Sequence, residues 1–434
     1  MAGSVSKRPG STGQKSGVDW HAPAERAFLV GLDFQRRDPI WTPAQSLEEL
    51  EFLALTADVV VAASTLPRVR KPDPATLIGS GQAAEIARRV EEDDCQTVIF
   101  DAELLPRQQR NLEKIVKVKV VDRTTLILDV FAAHARTAEG KLQVERAQID
   151  YVLPRLSELW VEFSRTAGGI GTRGPGETQI ETDRRELRER IADLDRQIDR
   201  VRKRRSQARA ARRKQGLPLI GLVGYTNAGK SSLLNALTGA DALVQDQLFA
   251  TLDPLTRRLD LADGRRALLT DTVGFIQRLP ERLLAAFRAT LEEIQEADLL
   301  LHVVDVSSPT RVEQIDSVVE TLEMLEMAGT PMVTVLNKID LAGDGNEFEL
   351  PGAIRVSART GLGLEDVRAA IAQELQAGDV PLAVAIPFAE GRLVDLFHRE
   401  GTVDATEFTE SGTILRGRVP GRFAGRFREF ELNE

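Results

Sequence analysis

The segment Gly224–Ser231 constrains the fold of this 434-residue chain more than any other. It reads Gly-Tyr-Thr-Asn-Ala-Gly-Lys-Ser and follows an apolar run, Leu217–Val223, that is typical of a buried strand. The residues after it are typical of a helix. A strand, a G-x-x-x-x-G-K-S loop and a helix in this order wrap backbone N–H groups around nucleotide phosphates. The pattern therefore predicts an α/β domain with a phosphate site at the amino end of the helix.

The residue types in this loop have separate roles. Its glycines let the backbone approach the phosphates closely. Lys230 would reach the β- and γ-phosphates, and the Ser231 hydroxyl would bind Mg²⁺. A chance glycine turn is the alternative, which the full match in a strand-to-helix context disfavours. We expect nucleotide contacts from Gly224, Tyr225, Thr226, Asn227, Ala228, Gly229, Lys230, Ser231 and Ser232.

The tetrapeptide Asn337-Lys338-Ile339-Asp340 predicts that the base is guanine. A carboxylate at Asp340 can accept hydrogen bonds from N1–H and N2–H of guanine, whereas adenine would leave it unpaired. Asn337 can bond the base edge or the neighbouring loop, and the stem of Lys338 can cover the ring. A backbone N–H after the last predicted strand could meet guanine O6. The candidates there are Ser357, Ala358 and Arg359.

Two further segments are predicted to respond to the γ-phosphate. Asp271 follows a predicted strand and fits an aspartate linked to Mg²⁺ through water, while Gly274 would offer its N–H to the γ-phosphate. Thr251 could bind Mg²⁺ and the γ-phosphate only in the triphosphate state, which predicts an order–disorder switch. The catalytic candidates are Lys230, Thr251 and Gly274, and the metal ligands are Ser231 and Thr251. The nucleotide contacts in these segments are Phe249, Ala250, Thr251, Asp271, Thr272, Val273 and Gly274.

Phe275 occupies the position after Gly274, where many GTPases carry a water-orienting glutamine. A phenyl ring cannot hold the attacking water by hydrogen bonding. We therefore predict slow hydrolysis by the isolated protein and acceleration by a partner, although a packing role for Phe275 also fits slow turnover. Asn227 stands where related loops coordinate K⁺, which suggests K⁺ as a cofactor beside Mg²⁺. Here Thr226 replaces the proline of those loops.

The chain is predicted to contain four folded parts after a disordered tail, residues 1–26. Alternating strands and helices indicate a small parallel α/β domain at 27–136, with a strand over Ala27–Phe34 and a helix capped at Ser46. Apolar residues at three- and four-residue steps indicate an antiparallel helical hairpin at 137–216. The nucleotide-binding domain, 217–378, should have a mixed, mostly parallel sheet with helices on both faces. A small α+β appendage follows at 379–434.

Positive charge is concentrated in the hairpin, although the net charge is −9. The run Arg202–Arg205 near the end of the second helix contains no acid, and the loop between the helices is rich in glycine. A solvated helix face is the alternative, but a basic stem with a glycine-arginine tip favours insertion beside a phosphate-rich surface. The candidate contacts are Arg173, Gly174, Gly176, Arg202, Lys203, Arg204 and Arg205.

Other features narrow the setting of the protein. The single cysteine, Cys95, excludes an intramolecular disulfide and a cysteine-based metal cluster, which favours a reducing cytoplasm. No apolar run approaches the ~18 residues that a membrane span needs. The amino-terminal segment lacks the apolar middle of a secretion signal. We therefore expect a cytoplasmic protein without a membrane span.

Three sequence runs, together with the nucleotide motifs, resemble the HflX family of ribosome-associated GTPases in the Obg–HflX group. They are Gly174–Arg185, Asp246–Pro254 and Asp271–Ile276, and family-like segments extend from about Ala27 to Gln376. The resemblance implies a Mg²⁺-dependent GTPase that docks on the large (50S) ribosomal subunit through rRNA and splits stalled or idle ribosomes. It also implies GTP and GDP as ligands, a hairpin tip near the peptidyl-transferase region, partial association with ribosomes or a membrane surface, and a monomer off the ribosome.

Two other functions stay open at this point. A GTP-regulated protein–protein adaptor would use the hairpin as a coiled-coil docking arm and would not depend on RNA. An RNA-modifying enzyme that uses GTP is disfavoured, because no catalytic base, reactive cysteine or cofactor loop stands out elsewhere in the chain.

Overall fold

The computed structural model describes residues 25–34, 40–167, 175–215, 217–239, 248–249, 255–277, 294–342 and 348–432. The strands in these ranges form three separate sheets, and a pair of long helices lies between the first sheet and the second along the chain. Among the described helices, none is both long and apolar enough to cross a membrane.

The N-terminal unit is a four-stranded parallel sheet in the order β2-β1-β3-β4. Its strands are β1 (Arg26–Val30), β2 (Val60–Thr65), β3 (Thr97–Phe100) and β4 (Lys119–Asp122). Its helices are α1 (Pro43–Thr56), α2 (Ser80–Glu92), α3 (Pro106–Val116) and α4 (Arg123–His134). Alternate residues of β1 point to opposite faces, so Phe28 packs with α2 and α3 while Leu29 packs with α1 and α4.

Two predicted boundaries in this unit are wrong. The first helix is capped by Thr42, not Ser46: the Thr42 hydroxyl accepts from Gln45 N at 3.3 Å, and the Gln45 side chain accepts from Thr42 N at 2.8 Å. Pro43 at the first helical position favours this earlier start. Ser46 is buried inside the helix and donates to Asp101. The first strand ends at Val30, and beyond it only Asp33 forms an isolated bridge.

The predicted helical hairpin consists of α5 (Ala138–Ala167) and α6 (Pro175–Gln215). Arg146 Nε donates to Asp195 Oδ1 at 2.7 Å, and Arg190 pairs with Glu145 at 2.7 Å, so ion pairs join the two helices. Leu194 of the predicted α6 seam is buried. At 1.5 Å per residue, α6 is about 60 Å long.

The second sheet has six strands in the order β10-β9-β8-β5-β7-β6 and carries the phosphate loop. All neighbouring pairs are parallel except β6 with β7, which confirms the predicted mixed, mostly parallel sheet. The strands are β5 (Leu219–Gly224), β6 (Leu255–Asp260), β7 (Arg266–Asp271), β8 (Leu299–Asp305), β9 (Met332–Asn337) and β10 (Ile354–Arg355). The helices are α7 (Lys230–Thr238), α8 (Arg311–Met324) and α9 (Leu364–Ala377).

The C-terminal appendage is an antiparallel sheet with helices on one face. Its strands are β11 (Asp379–Pro387), β12 (Thr402–Phe408) and β13 (Gly412–Pro420), in the order β11-β13-β12. Its helices are α10 (Gly391–Glu400) and the short α11 (Gly421–Ala424). The buried rings of Phe397 and Phe427 meet edge to face, with centroids 5.3 Å apart.

Candidate functional site

The phosphate loop lies between β5 and α7, as the sequence predicts. Gly224 has a φ of 150°, and a Cβ there would collide with the carbonyl oxygen of Val303 on the neighbouring strand. Gly229 has a φ of 90°, and a Cβ there would collide with the side-chain amide of Asn337. Both positions therefore need glycine, since other residues would strain the backbone and clash. The loop presents the amino end of α7, where backbone N–H groups favour an anion.

Lys230 is buried at the start of α7. Its Nζ donates to Gly224 O at 3.1 Å and to Tyr225 O at 2.8 Å. Burial lowers the pKa of Lys230 to about 8; Asp271 opposes this effect and the charge of Lys338 adds to it. A phosphate that pairs with the ammonium would favour its charged form.

The residues present fit a magnesium ion. Ser231 Oγ donates to Asp271 Oδ2 at 2.5 Å, which places a hydroxyl and a carboxylate oxygen side by side. Oxygen ligands of this kind suit Mg²⁺, which also keeps waters and binds nucleotide phosphates. Among the described residues there is no group of three or more His, Cys, Asp or Glu that could hold a metal, so the nucleotide and water would have to complete the coordination. The third candidate, Thr251, lies outside the described residues, as does Ala250.

The candidate guanine-binding residues form one hydrogen-bonded group. Asp340 Oδ1 accepts from Ser357 Oγ at 2.6 Å, which keeps the pKa of the Asp340 carboxyl below its ordinary value. Arg359 pairs with the other carboxylate oxygen at 2.9 Å. Asn337 Nδ2 donates to Ala228 O at 2.9 Å, and Asn337 Oδ1 accepts from Ala358 N at 3.1 Å. Asn337 thus ties the phosphate loop to the segment after β10.

Two neighbours of Asn337 complete this side of the site. Lys338 Nζ pairs with Asp305 Oδ2 at 2.7 Å, at the end of β8. Ile339 is partly buried in a small apolar cluster with Leu336. These contacts fix the backbone on both sides of the tetrapeptide.

The segment after Asp271 is attached to the phosphate loop. Thr272 Oγ1 donates to Leu222 O at 2.5 Å. Thr226 N donates to Phe275 O at 2.8 Å, and Phe275 N donates to Gly224 O at 3.1 Å. The ring of Phe275 lies in an apolar cluster with Trp41 and Tyr225, which fits the packing role that the sequence left open.

Two residues that the sequence predicts at the nucleotide have side chains that pack against the N-terminal unit. Phe249 is buried against Phe131, with ring centroids 4.5 Å apart and ring planes at 73°. Its φ of 56° is uncommon for a bulky residue. Val273 packs in the same cluster. The Tyr225 side chain also faces this unit, because its ring stacks on Trp41 at 5.8 Å. No local sequence pattern revealed these contacts.

The candidate nucleic-acid contacts are described only in part. Lys203 is exposed and Arg202 is half-buried on α6. Arg204 and Arg205 lie in the same helix, but their side chains are outside the described part of the structure, and Gly176 lies in the first turn of this helix. Arg173 and Gly174 lie outside the described residues.

Family models match three consecutive parts of the chain. A model described as GTP-binding GTPase N-terminal matches residues 44–132, and one described as GTP-binding GTPase middle region matches 134–212. A model described as 50S ribosome-binding GTPase matches residues 219–338. The third match contains the phosphate loop and part of the guanine-binding group.

Similar proteins extend over nearly the whole chain. GTPase HflX of Caldanaerobacter subterraneus subsp. tengcongensis is 44% identical, and the match covers 94% of each chain. GTPase HflX of Magnetococcus marinus is 47% identical over 94% of this chain and 96% of its own. Among solved structures, a GTP-binding protein from Sulfolobus solfataricus in complex with GDP is 25% identical, with 81% of this chain and 98% of that chain covered and a TM-score of 0.42.

Replacing Asp340 by Asn should change the base preference. Asn keeps one acceptor oxygen for N1–H but loses the charge and the acceptor for N2–H. Loss of one charged hydrogen bond, roughly 1.5–3 kcal/mol, should weaken GTP binding at least about tenfold. XTP should bind better than GTP, because the Asn amide can donate to the 2-oxo group of xanthine. Competition titrations with a fluorescent nucleotide measure both affinities. Ile339→Val is the matched control and should keep GTP affinity, and a retained preference for GTP in Asp340→Asn would contradict the assignment.

The affinity for GTP should fall as pH rises. With a pKa of about 8, the charged fraction of Lys230 drops from about nine-tenths at pH 7 to about a quarter at pH 8.5. Because the charged form pairs with phosphate, GTP affinity should fall about fourfold over this interval and protons should be taken up on binding. Calorimetry in buffers of different ionisation enthalpy measures both effects. Constant affinity without proton uptake would refute the proposed role of this lysine.

Proposed function

The chain belongs to the HflX family of GTPases, and we propose that it binds the large ribosomal subunit in its GTP-bound form and separates stalled or idle ribosomes. The observation that carries this proposal is the root of the basic hairpin, which lies on the same N-terminal unit that contacts the phosphate loop. The nucleotide site and the basic hairpin thus both contact the N-terminal unit. The description of the matching family model, 50S ribosome-binding GTPase, supports the partner.

The site residues support slow hydrolysis of GTP to GDP and phosphate. Lys230 would pair with the β- and γ-phosphates, and the Gly274 N–H would donate to the γ-phosphate. Ser231 would hold Mg²⁺ directly and Asp271 would hold it through water; when bound, the ion neutralises charge that develops on the phosphates. Phe275 supplies no hydrogen bond to an attacking water. An additional group from the partner would therefore accelerate the reaction.

The hairpin offers two contact zones for rRNA. The first is residues 168–174, a run with four glycines and Arg173 that joins α5 to α6 in the sequence. The second is the basic run Arg202–Arg205 toward the other end of α6. Arg202 lies 27 positions after Pro175 along the helix, a distance of about 40 Å. An arm of this length can place its tip inside a crevice while its base contacts phosphates at the entrance.

The packing of the hairpin disfavours the adaptor alternative. Leu194 and Ile198, two members of the predicted α6 seam, are buried within the protein. An adaptor would need this apolar seam to capture a partner helix. In the described part of the hairpin these seam residues are buried, whereas Lys203 is exposed to solvent. A polar, phosphate-rich surface is the partner that suits such an arm.

Large subunits should stimulate GTP hydrolysis. We expect at least about a tenfold increase in the turnover rate when purified 50S subunits are added, because the partner supplies positioning that Phe275 cannot. Phosphate release is measured with and without subunits, and 30S subunits serve as the control that should have no effect. The proposal fails if the rate is the same in all three conditions.

Replacing Arg202, Lys203, Arg204 and Arg205 by Glu should weaken binding to large subunits by about tenfold or more and flatten its salt dependence. Affinity for GTP should stay unchanged, because these residues lie outside the nucleotide site. Co-sedimentation at several salt concentrations measures the effect. Charge reversal at Arg70, Lys71, Lys117 and Lys119, which are exposed on the N-terminal unit, is the matched control. Equal losses in both variants would exclude a specific basic contact.

A further inference from the structure

Helix α1 of the N-terminal unit lies directly against the phosphate loop and α8. Trp41, just before α1, stacks on Tyr225 of the loop and donates from Nε1 to Ser317 Oγ of α8 at 2.8 Å. Gln45 Nε2 donates to Glu313 Oε1 at 2.8 Å. The contact therefore includes the loop that binds the phosphates, in addition to the helix beside it.

Five buried polar residues form the centre of this contact, and we call them the joint: Glu49, Asp101, Arg123, Tyr225 and Gln277. The Tyr225 hydroxyl donates to Glu49 and accepts from Gln277 N at 2.7 Å. Arg123 contacts the Glu49 carboxylate, donates to Gln277 O at 3.1 Å and pairs with Asp101 at 2.7 Å. Both main-chain polar groups of Gln277, two residues after Phe275, are thus held by the joint.

An apolar contact accompanies the joint. Phe249 of the predicted switch segment lies between residues of the N-terminal core and meets Phe131 edge to face. The N–H of the preceding residue, Leu248, donates to Thr56 Oγ1 at 3.4 Å. The N-terminal unit therefore contacts both segments that are predicted to respond to the γ-phosphate.

The residue before Arg123 binds the hairpin. Asp122 accepts from the Tyr151 hydroxyl of α5 and pairs with Arg155 at 3.4 Å. The Arg155 guanidinium lies 3.3 Å from the centroid of the Tyr151 ring and donates to Leu104 O at 2.8 Å. Val144 and Ala147 of α5 belong to the same apolar cluster as α1 and α4. The hairpin and the N-terminal unit are therefore packed as one body.

A bound γ-phosphate would act on residues next to the joint, because it would enter the space between Lys230 and Gly274. Lys230 Nζ donates to Tyr225 O, and a Cβ built on Gly274 would lie 2.8 Å from that Nζ. A γ-phosphate that accepts hydrogen bonds from both Lys230 and Gly274 has to enter the space between them. Its presence would change the hydrogen bonding of Tyr225 and the position of the segment from Gly274 to Gln277.

We infer that Glu49 and Arg123 are positioning residues that couple the bound nucleotide to the orientation of the hairpin. GTP and GDP set two positions of Tyr225 and Gln277, and the joint converts this difference into a rotation of the N-terminal unit together with its hairpin. The inference rests on the proposed function in taking the hairpin as the part that docks. The inference adds to this function the residues through which the nucleotide controls the orientation of the hairpin.

The distance between two spin labels tests this inference without ribosomes. The buried Cys95 is replaced by Ala, and Ala192→Cys on α6 and Ala369→Cys on α9 provide exposed sites. Pulsed electron–electron resonance compares the protein with GDP and with a non-hydrolysable GTP analogue. We expect the distance to shift by about 5 Å or more between the two nucleotides. An identical distance distribution with both would overturn the inference.

Glu49→Gln is the decisive variant. It removes one of the two carboxylates that face Arg123, at a cost of up to roughly 3–5 kcal/mol, while Asp101 still pairs with the guanidinium. The melting temperature of the variant shows whether the fold is retained. We expect the nucleotide-dependent shift to fall below half of its original size, while the affinity for the GTP analogue stays within about twofold. Arg123→Lys should act in the same way, since one ammonium cannot replace a guanidinium that contacts Glu49, Asp101 and Gln277 O together.

Thr76→Val is the matched control. It removes a buried hydroxyl that donates to Ile78 O at 2.6 Å in the same unit, away from the joint, and it should leave the shift intact. A full shift in Glu49→Gln, or an equal loss of the shift in Thr76→Val at matched melting temperature, would overturn the role of the joint.

Hydrolysis stimulated by large subunits, measured on the same variants, separates the inference about the joint from the proposed function. Stimulation without a nucleotide-dependent shift refutes the joint alone, and a shift without subunit binding refutes the proposed function alone.

Discussion

The buried guanidinium of Arg123 is the interaction on which the arrangement of this protein depends. A charge removed from water is very costly unless it is paired and hydrogen-bonded. Burial alone would lower the pKa of Arg123, but the carboxylates of Glu49 and Asp101 raise it above its ordinary value, so the group stays charged. Removing one partner of such a pair typically costs roughly 3–5 kcal/mol. The N-terminal unit is therefore held against the nucleotide site in a defined orientation.

The parts of the site that the sequence predicted are those formed by consecutive residues. Phosphate binding uses successive N–H groups and glycines, so the Gly224–Ser231 pattern is enough to locate it. The same holds for Asn337 and Asp340, which follow one buried strand. The joint could not be predicted, because Glu49, Arg123 and Tyr225 are far apart in the chain and each looks like an ordinary residue in its own segment.

Local sequence patterns also failed to predict a helix start where two residues could be the cap, an edge strand that is mostly exposed, and a ring buried by a distant segment. Thr42 and Ser46 both resemble helix caps, and Pro43 at the first helical position decides for Thr42. Strand β6, Leu255–Asp260, was not predicted because it is an edge strand whose residues are mostly exposed or half-buried. The ring of Phe249, which is near Thr251 in the sequence, is buried in the N-terminal core, and no local pattern predicts this contact. Tertiary packing decided the last two of these cases.

The central claim is that the nucleotide controls how tightly the protein binds the large subunit. The most direct test is the dissociation constant for 50S subunits, measured at one ionic strength with a non-hydrolysable GTP analogue and with GDP. A coupling free energy in the usual range predicts binding at least about tenfold tighter with the analogue. Equal affinity with the two nucleotides, or no binding with either, would contradict the account.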